Sequence, residues 1–310
     1  MAGETLHVHF LGTAGALPTP QRNPSCIMIR RGSDTILFDC GEGAQQQMMR
    51  ARTGFTVNAI FISHWHADHY LGLFGLFETM GFHGREEPIR LYGPRRVHEF
   101  VSIIRQMNQG LSFPIQAVEL QDGEEIRFDG YRVIPFATRH GCESFGFILT
   151  EDERPGRFDR DQAISLGVPP GPLFGRLQRG EGVSVTVDGQ EIIIQPEQVM
   201  GENRPGRTVV YTGDTRPLRF WPESAYGADL LIHDATFDDL EEERADEVFH
   251  STAGKAGAAA RNLSVLRLAL VHISSRYTQT ANHIQDAKKY YQGEVLFPND
   301  CTMIEIPFRD

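Results

Sequence analysis

The sequence predicts an α/β fold, and three observations carry that prediction. Short β-branched and aromatic runs alternate with helix-like stretches through most of the 310 residues. Five of those runs empty into polar residues: residues 64–69, then His140, Asp214, the pair His233 and Asp234, and finally His272. Ligand sites of open α/β sheets lie at such strand ends, so the recurrence points to one composite site. Residues 151–207 interrupt the rhythm, and we read them as an inserted arm within a single domain spanning 1–310.

The densest cluster lies in the stretch IFISHWHADHYLG, residues 60–72. Ile60, Phe61 and Ile62 read as a buried strand, and a His-x-His-x-Asp-His pattern follows at once. A lone histidine at a strand end is more often a hydrogen-bonded polar group; four ligand-type residues within six positions fit a metal far better. His64 and His66 can reach one ion, while Asp68 and His69, on the following turn, point toward a second position close by.

Composition narrows the class. With 40% apolar and 23% charged residues the chain is an ordinary globular protein, and no run of 18 apolar residues appears. The opening MAGETLHVHFLG carries an acid and turns strand-like at once, unlike a signal peptide, so a cytoplasmic location is expected. Cys26, Cys40, Cys142 and Cys301 form no C-x-x-C pair and read as reduced structural thiols. A net charge of -11 argues against nonspecific nucleic-acid binding, so any RNA partner needs a local basic patch. Lysines occur at 255, 288 and 289, and arginine supplies the remaining basic side chains.

In chain order, residues 6–11 read as a strand bearing His7 and His9, which lack other ligand types nearby and read as hydrogen-bonded. A Gly- and Pro-rich loop follows, then a hairpin of residues 26–30 and 35–38, and a helix over 44–52. Beyond the histidine cluster, helices are expected over 73–82 and 95–109. The second places Val97, Phe100, Val101, Ile104 and Met107 on one apolar face, with Gly110 to close it. Residues 131–138 read as a strand with His140 just past its end. Within the arm, residues 167–180 show little apolar periodicity, whereas Asp188-Gly189 between two alternating runs signals a type I′ hairpin. Strands at 208–212, 229–232, 267–271 and 294–297 resume the pattern, with helices at 253–261 and 280–292, the latter capped by Thr280 and stopped by Gly293.

Taken together, Phe10-Leu11-Gly12-Thr13, Ser63-His64-Trp65-His66-Ala67-Asp68-His69, Tyr211-Thr212-Gly213-Asp214-Thr215-Arg216, His233-Asp234-Ala235-Thr236, His250-Ser251-Thr252 and His272-Ile273-Ser274-Ser275-Arg276-Tyr277 resemble the ribonuclease Z family. These are tRNA 3′-processing endonucleases of the metallo-β-lactamase superfamily, and the likeness spans nearly the whole chain. The His-x-His-x-Asp-His pattern marks only the superfamily; the other elements narrow it.

The resemblance implies an αβ/βα sandwich of two mixed sheets with helices outside, usually as a homodimer. It implies that His64, His66 and His140 hold one zinc ion and Asp68, His69 and His272 another, with Asp214 bridging; manganese or iron suits the same donors. Asp68 would orient or deprotonate the attacking water, and His250, held by Asp234, would protonate the leaving oxygen. As plainer roles, His250 could cap the following helix and Asp234 could be a buried hydrogen-bonded carboxylate. The family commonly has Glu at the position of Asp234, and Lys where the arm has Arg176 and Arg179. That arm resembles a tRNA-gripping exosite, while Arg22 and Arg276 are expected near the RNA. Two other readings stay open: a dinuclear hydrolase of a small phosphodiester or thioester, which would not need the arm, and a non-catalytic RNA-binding subunit, which would have lost ligands. All seven ligand positions are filled here.

Overall fold

The computed structural model describes residues 4–108, 110–278 and 281–309. The chain divides into two compact units, one of residues 151–206 with Arg309, the other of the remainder.

The larger unit opens with β1 (Leu6–Gly12), β2 (Cys26–Arg31) and β3 (Asp34–Phe38), which pair antiparallel in sequence order. Helix α1 (Ala44–Arg50) leads to β4 (Ala59–Phe61); α2 (Ala67–Tyr70) and α3 (Gly72–Phe82) lead to β5 (Ile89–Gly93); α4 (Val97–Met107) leads to β6 (Ile115–Glu119). The next strands are β7 (Ile126–Phe128), β8 (Tyr131–Ala137) and β9 (Phe145–Glu151). In the arm come α5 (Arg160–Ser165), α6 (Pro172–Gln178), β10 (Val183–Val187) and β11 (Gln190–Ile194). The chain then adds β12 (Thr208–Tyr211), β13 (Leu230–Asp234), α7 (Glu242–Glu247), α8 (Ala253–Leu263), β14 (Arg267–Val271), α9 (Ala281–Tyr290), β15 (Glu294–Leu296) and β16 (Thr302–Glu305).

Two seven-stranded sheets result, ordered β16-β1-β2-β3-β4-β5-β6 and β15-β14-β13-β12-β9-β8-β7. Alternation along the strands makes both sheets two-faced. Ile36 and Phe38 turn to the inner core with Phe61, Phe147, Val209 and Ile232 of both sheets, while Leu37 turns outward onto Met48, Leu76 and Val101 of the helices. On the second sheet, Val210, Leu231 and Leu268 face Ala256, Ala260 and Ala287 in the same way. The fold is thus an αβ/βα sandwich. Phe38 and Phe147 stack at 5.0 Å in its centre, and burying a side chain of that size stabilises the fold by about 1.5–3 kcal/mol.

The parallel runs β3-β4-β5 and β12-β13-β14 fix the site. The polar clusters foreseen at strand ends follow β4, β8, β12 and β14, and His233 and Asp234 are the last two residues of β13. Gly41 and Gly72 let the loop after β3 lie against the Asp68 and His69 backbone, where Cys40 N–H donates to the His69 carbonyl (2.8 Å); a side chain at either glycine would collide with main-chain oxygen.

Some elements differ from expectation. Helix α4 is shorter at both ends than 95–109, Gln109 lies outside the described residues, and Met107 is exposed, so the buried face is Val97, Val101 and Ile104. The Thr280 cap also lies outside the described residues.

The arm is more regular than its sequence suggested. Within 167–180 sits α6, with Pro172 in its first turn. Seven residues with a single fully buried anchor, Leu177, are too few to show a helical period. Ala163, Val168, Leu177, Val183, Val185, Ile194 and Val199 form the arm's own small core. Asp188 (φ 52°) and Gly189 (φ 81°) close the β10–β11 hairpin as the type I′ signal required.

Candidate active site

Four histidines are held by one device: a hydrogen bond at Nδ1 that leaves Nε2 facing Asp214. Ser63 Oγ–H donates to Asp39 Oδ2 (2.8 Å), so its oxygen accepts from His64 Nδ1–H (3.0 Å). His69 Nδ1–H donates to Asp39 Oδ2 (2.7 Å), and His140 Nδ1–H to the Phe249 carbonyl (3.0 Å). Thr236 Oγ1–H donates to Asp234 Oδ1 (2.7 Å) and its oxygen accepts from His272 Nδ1–H (2.8 Å). With Nδ1–H engaged by the bonding network, each Nε2 offers a lone pair whenever its ring is neutral.

The lone pairs converge. From Asp214 Oδ2, the Nε2 atoms lie at 3.7 Å for His64, 3.4 Å for His69, 3.9 Å for His140 and 3.3 Å for His272. His66 turns Nδ1 inward instead, 2.9 Å from His64 Nε2 and 3.2 Å from His140 Nε2. Asp68 Oδ2 sits 3.4 Å from His69 Nε2 and 3.3 Å from His272 Nε2.

Two constellations with metal-ligand spacing emerge, His64 with His66, His140 and Asp214, and Asp68 with His69 and His272. A third grouping adds Asp234 and His250 to Asp214 and His272. We set it aside, because the Asp234 oxygens are occupied by Thr215 N–H, Thr236 N–H, Thr236 Oγ1–H and His250 Nδ1–H. Within the first two, His69 Nε2 and Asp214 Oδ1 are buried without a hydrogen-bond partner, a costly state that a cation would relieve. The donor set of imidazole and carboxylate suits a divalent metal.

Charges within the cluster are interlocked: burial lowers the His69 pKa, but Asp214 and Asp39 outweigh it and hold that imidazole well above the usual range, so a cation would displace its proton. Burial, reinforced by the His69 charge, holds His64 well below the usual imidazole range. Burial opposes ionisation of Asp214, but His272 and His69 outweigh it and hold the carboxyl well below the usual range. Asp68 is likewise held low, hydrogen bonds to His272 and His69 overcoming burial. His250 behaves differently: burial lowers its pKa, yet Asp234 prevails and pushes it up to about 9. Its Nδ1–H donates to Asp234 Oδ2 (2.8 Å), and its Nε2 lies 4.0 Å from Asp214 Oδ2. His250 thus stands on the rim of the cluster, tied to Asp234. It does not cap α8, whose cap is the Thr252 hydroxyl accepting from Lys255 N–H (3.3 Å).

Backbone strain gathers here too. Asp39 (φ 59°), Phe249 (φ 64°) and His272 (φ 61°) all occupy the left-handed region, which costs about 1–3 kcal/mol per residue and persists where surrounding structure enforces it.

Comparison with known proteins follows the geometry. Residues 19–172 match the metallo-β-lactamase superfamily. The chain is 48% identical over 307 residues to a ribonuclease Z of Methanosarcina acetivorans, covering 98% of this chain and 99% of the relative. It is 47% identical over 310 residues to a ribonuclease Z of Myxococcus xanthus, covering 98% and 99%. The chain belongs to the ribonuclease Z family. The short form of human tRNase Z resembles it in structure, with a TM-score of 0.68 at 25% identity, covering 97% of this chain and 100% of that one. Membership makes this protein a hydrolase, a metal-dependent endoribonuclease.

Within this ribonuclease Z framework the seven foreseen ligands come together, with Asp234 and His250 beside them. His233 does not join them. It turns to the opposite face of β13 from Asp234, fully buried, with its ring 6.1 Å from Trp221. Asp39, Ser63 and Thr236 were missed as supports. Asp39 directly follows the apolar run of β3, so the strand-end rule that found the other carboxylates could have found it.

The candidate RNA-binding arginines are all engaged. Arg22 donates to the Thr13 hydroxyl, the Pro298 carbonyl (2.8 Å) and Asn299 Oδ1 (3.0 Å). Beside it, Asp300 accepts from Thr13 N–H (3.1 Å), Thr13 Oγ1–H (2.7 Å), Asn23 N–H (2.6 Å) and Gln47 Nε2–H. This knot ties the loop after β1 to the segment before β16, and the same loop exchanges hydrogen bonds with Ile273, next to His272: Gly15 N–H to the Ile273 carbonyl (2.9 Å), Ile273 N–H to the Thr13 carbonyl (3.0 Å). Arg276 pairs with Glu241 (3.2 Å). In the arm, Arg176 and Arg179 both pair with Glu181 at 3.1 Å, an acid lying one residue beyond the acid-free stretch 167–180.

Proposed function

We propose that this protein is a zinc-dependent endoribonuclease that removes the 3′ trailer of tRNA precursors just after the discriminator nucleotide. The observation that carries the reading is His250: an imidazole whose Nδ1–H is fixed by Asp234, with Nε2 4.0 Å from the carboxylate at the centre of the ligand cluster, in a ribonuclease Z family chain.

His64, His66 and His140 would hold one zinc ion, Asp68, His69 and His272 the other, and Asp214 both. When bound, such ions supply Lewis acidity that polarises a phosphodiester and acidifies water. Asp68, ionised and anchored by His69 and His272, orients the attacking water and accepts its proton. His250 Nε2–H gives a proton to the departing ribose 3′-oxygen as the P–O3′ bond breaks. Water oxygen stays on phosphorus, so the tRNA keeps a 3′-hydroxyl and the trailer a 5′-phosphate. Asp234 holds the His250 ring and stabilises its charge before transfer. The arm, as an exosite for the tRNA body with Arg176 and Arg179 on its surface, serves the partner subunit of a homodimer. The same reading places the protein in the cytoplasm; no helix among the described residues is long and apolar enough to cross a membrane.

The test is an end-labelled tRNA precursor with a 3′ trailer, mapped at nucleotide resolution with and without chelator. A chelator-sensitive cut after the discriminator is the expected result. An intact precursor, with metal bound and a small phosphodiester still hydrolysed, would refute the substrate assignment.

A further inference from the structure

Trp65 has no part in the reading above, although it stands between His64 and His66. Its indole is fixed. Nε1–H donates to the Arg95 carbonyl (2.9 Å), the ring lies 4.7 Å from Phe100 and 5.7 Å from Tyr70, and its far edge fills the space beside Gly93. A cavity of about 370 Å³ opens beside it, lined by Trp65, His66, Arg95, Arg96, Cys142 and Glu143. That volume falls within the range of about 300–1,000 Å³ typical of small-ligand sites. Arg95 and Arg96 are exposed, and each engages an acid through Nε: Arg95 with Glu143 (3.1 Å), Arg96 with Glu99 (2.8 Å). Exposed pairs of this kind are weak, so both guanidiniums stay available to a phosphate or a base face.

The placement of the cavity selects its occupant. The rings of His250 and His140 lie 5.1 Å apart and those of His140 and His66 4.9 Å apart, and the cavity borders His66. The cavity thus touches the cluster at His66, whereas the proton donor meets it at His140 and His272. In the proposed reaction, on which this inference rests, His250 serves the oxygen that leaves with the tRNA. The nucleotide on the other side of the scissile phosphate belongs to the trailer. We infer that the Trp65 cavity is a stacking subsite for the first trailer base, with Arg95 and Arg96 contacting its backbone. An immobilised aromatic ring loses little freedom on stacking, accepts any base, and so suits trailers of varied sequence.

The test crosses two enzymes with three substrates. Wild type and Trp65→Leu are assayed on a precursor with a normal first trailer nucleotide, one abasic at that position, and one abasic at the discriminator. The expected result is a kcat/KM loss of about tenfold for Trp65→Leu on the normal substrate and on the abasic-discriminator substrate, and no comparable loss on the abasic-trailer substrate. An equal loss on all three would mean that the substitution merely disturbs His64 and His66, and would overturn the subsite. A loss that vanishes with the abasic discriminator would overturn the trailer assignment. Failure of wild type to cut any precursor would instead overturn the function itself. Fluorescence gives an independent reading, because the chain has two tryptophans and Trp221 is buried. In a Trp221→Phe background, an uncleavable precursor with a trailer base should quench Trp65, and its abasic counterpart should not; equal quenching by both would refute stacking.

Discussion

Asp39→Asn is the most informative substitution, because it exchanges a single atom that no substrate touches. Asp39 is fully buried and accepts four hydrogen bonds: from Ser63 N–H (2.7 Å), Ser63 Oγ–H (2.8 Å), His69 Nδ1–H (2.7 Å) and Tyr211 O–H (2.7 Å). The first falls on Oδ1, the other three on Oδ2. An asparagine that keeps its oxygen on Ser63 N–H places an NH2 group where three donors point. Ser63 and Tyr211 hydroxyls can rotate and accept. His69 can accept only by surrendering its Nδ1 proton, and the neutral ring must then carry that proton on Nε2, the atom 3.4 Å from both Asp68 and Asp214. A protonated Nε2 cannot ligate. Loss of such a support typically weakens metal binding by about 10–100-fold, or about 1.4–2.7 kcal/mol. Competition for zinc against a chromophoric chelator measures it, with circular dichroism to establish that the fold survives. Wild-type zinc affinity in a folded Asp39→Asn protein would refute the tautomer argument.

Other outcomes follow from the same geometry. His250→Ala should keep its metal by atomic absorption yet lose about 10²–10⁴-fold in kcat on tRNA precursor, with a far smaller loss on a phosphodiester bearing a good leaving group; equal losses would remove His250 from proton donation. Asp214→Ala should lose metal and activity together, beyond the roughly 10–100-fold expected of an outer residue, and retention of metal by equilibrium dialysis would contradict its central placement. Deleting residues 167–180 should raise KM for tRNA precursor on the order of tenfold while sparing a small phosphodiester; parallel losses on both would sink the exosite. In metal-free protein, NMR should find His250 titrating near pH 9. Because that value is raised above the ordinary one of about 6.5, the pair's contribution to stability is complete below pH ~6.5 and fades as pH rises through 9. A midpoint at or below 6.5 would mean that Asp234 does not hold the charge.

The candidate ligands were legible in the sequence because metal chemistry restricts residue type and the sandwich restricts position. His64, His140, Asp214 and His272 each sit where an apolar strand stops, and that junction is visible in one dimension. Asp39 obeys the same rule, yet a single acid before Cys40-Gly41 looks like turn chemistry, and only the approach of β4 shows which groups it serves. His233 was misplaced because successive strand residues face opposite ways, and a two-residue cluster does not say which of them points inward. The pairing of Arg176 and Arg179 with Glu181 depends on the end of α6, a helix too short to announce itself. Trp65 reads in sequence as a spacer between two ligands, and only its contact with Arg95 fixes where the ring lies.

The Asp300 knot bears on when a nuclease becomes active. Chains fold as they emerge from the ribosome, at roughly 5–20 residues per second. β1 is made long before its outer neighbour β16, so a growing chain carries an open sheet edge until β16 emerges. Asp300 is made just before that strand, and through Thr13 and Gly15 it steadies the backbone beside His272. The backbone beside His272 therefore gains this tie only once Asp300 has been joined, so during synthesis the centre lacks it until the segment before β16 exists.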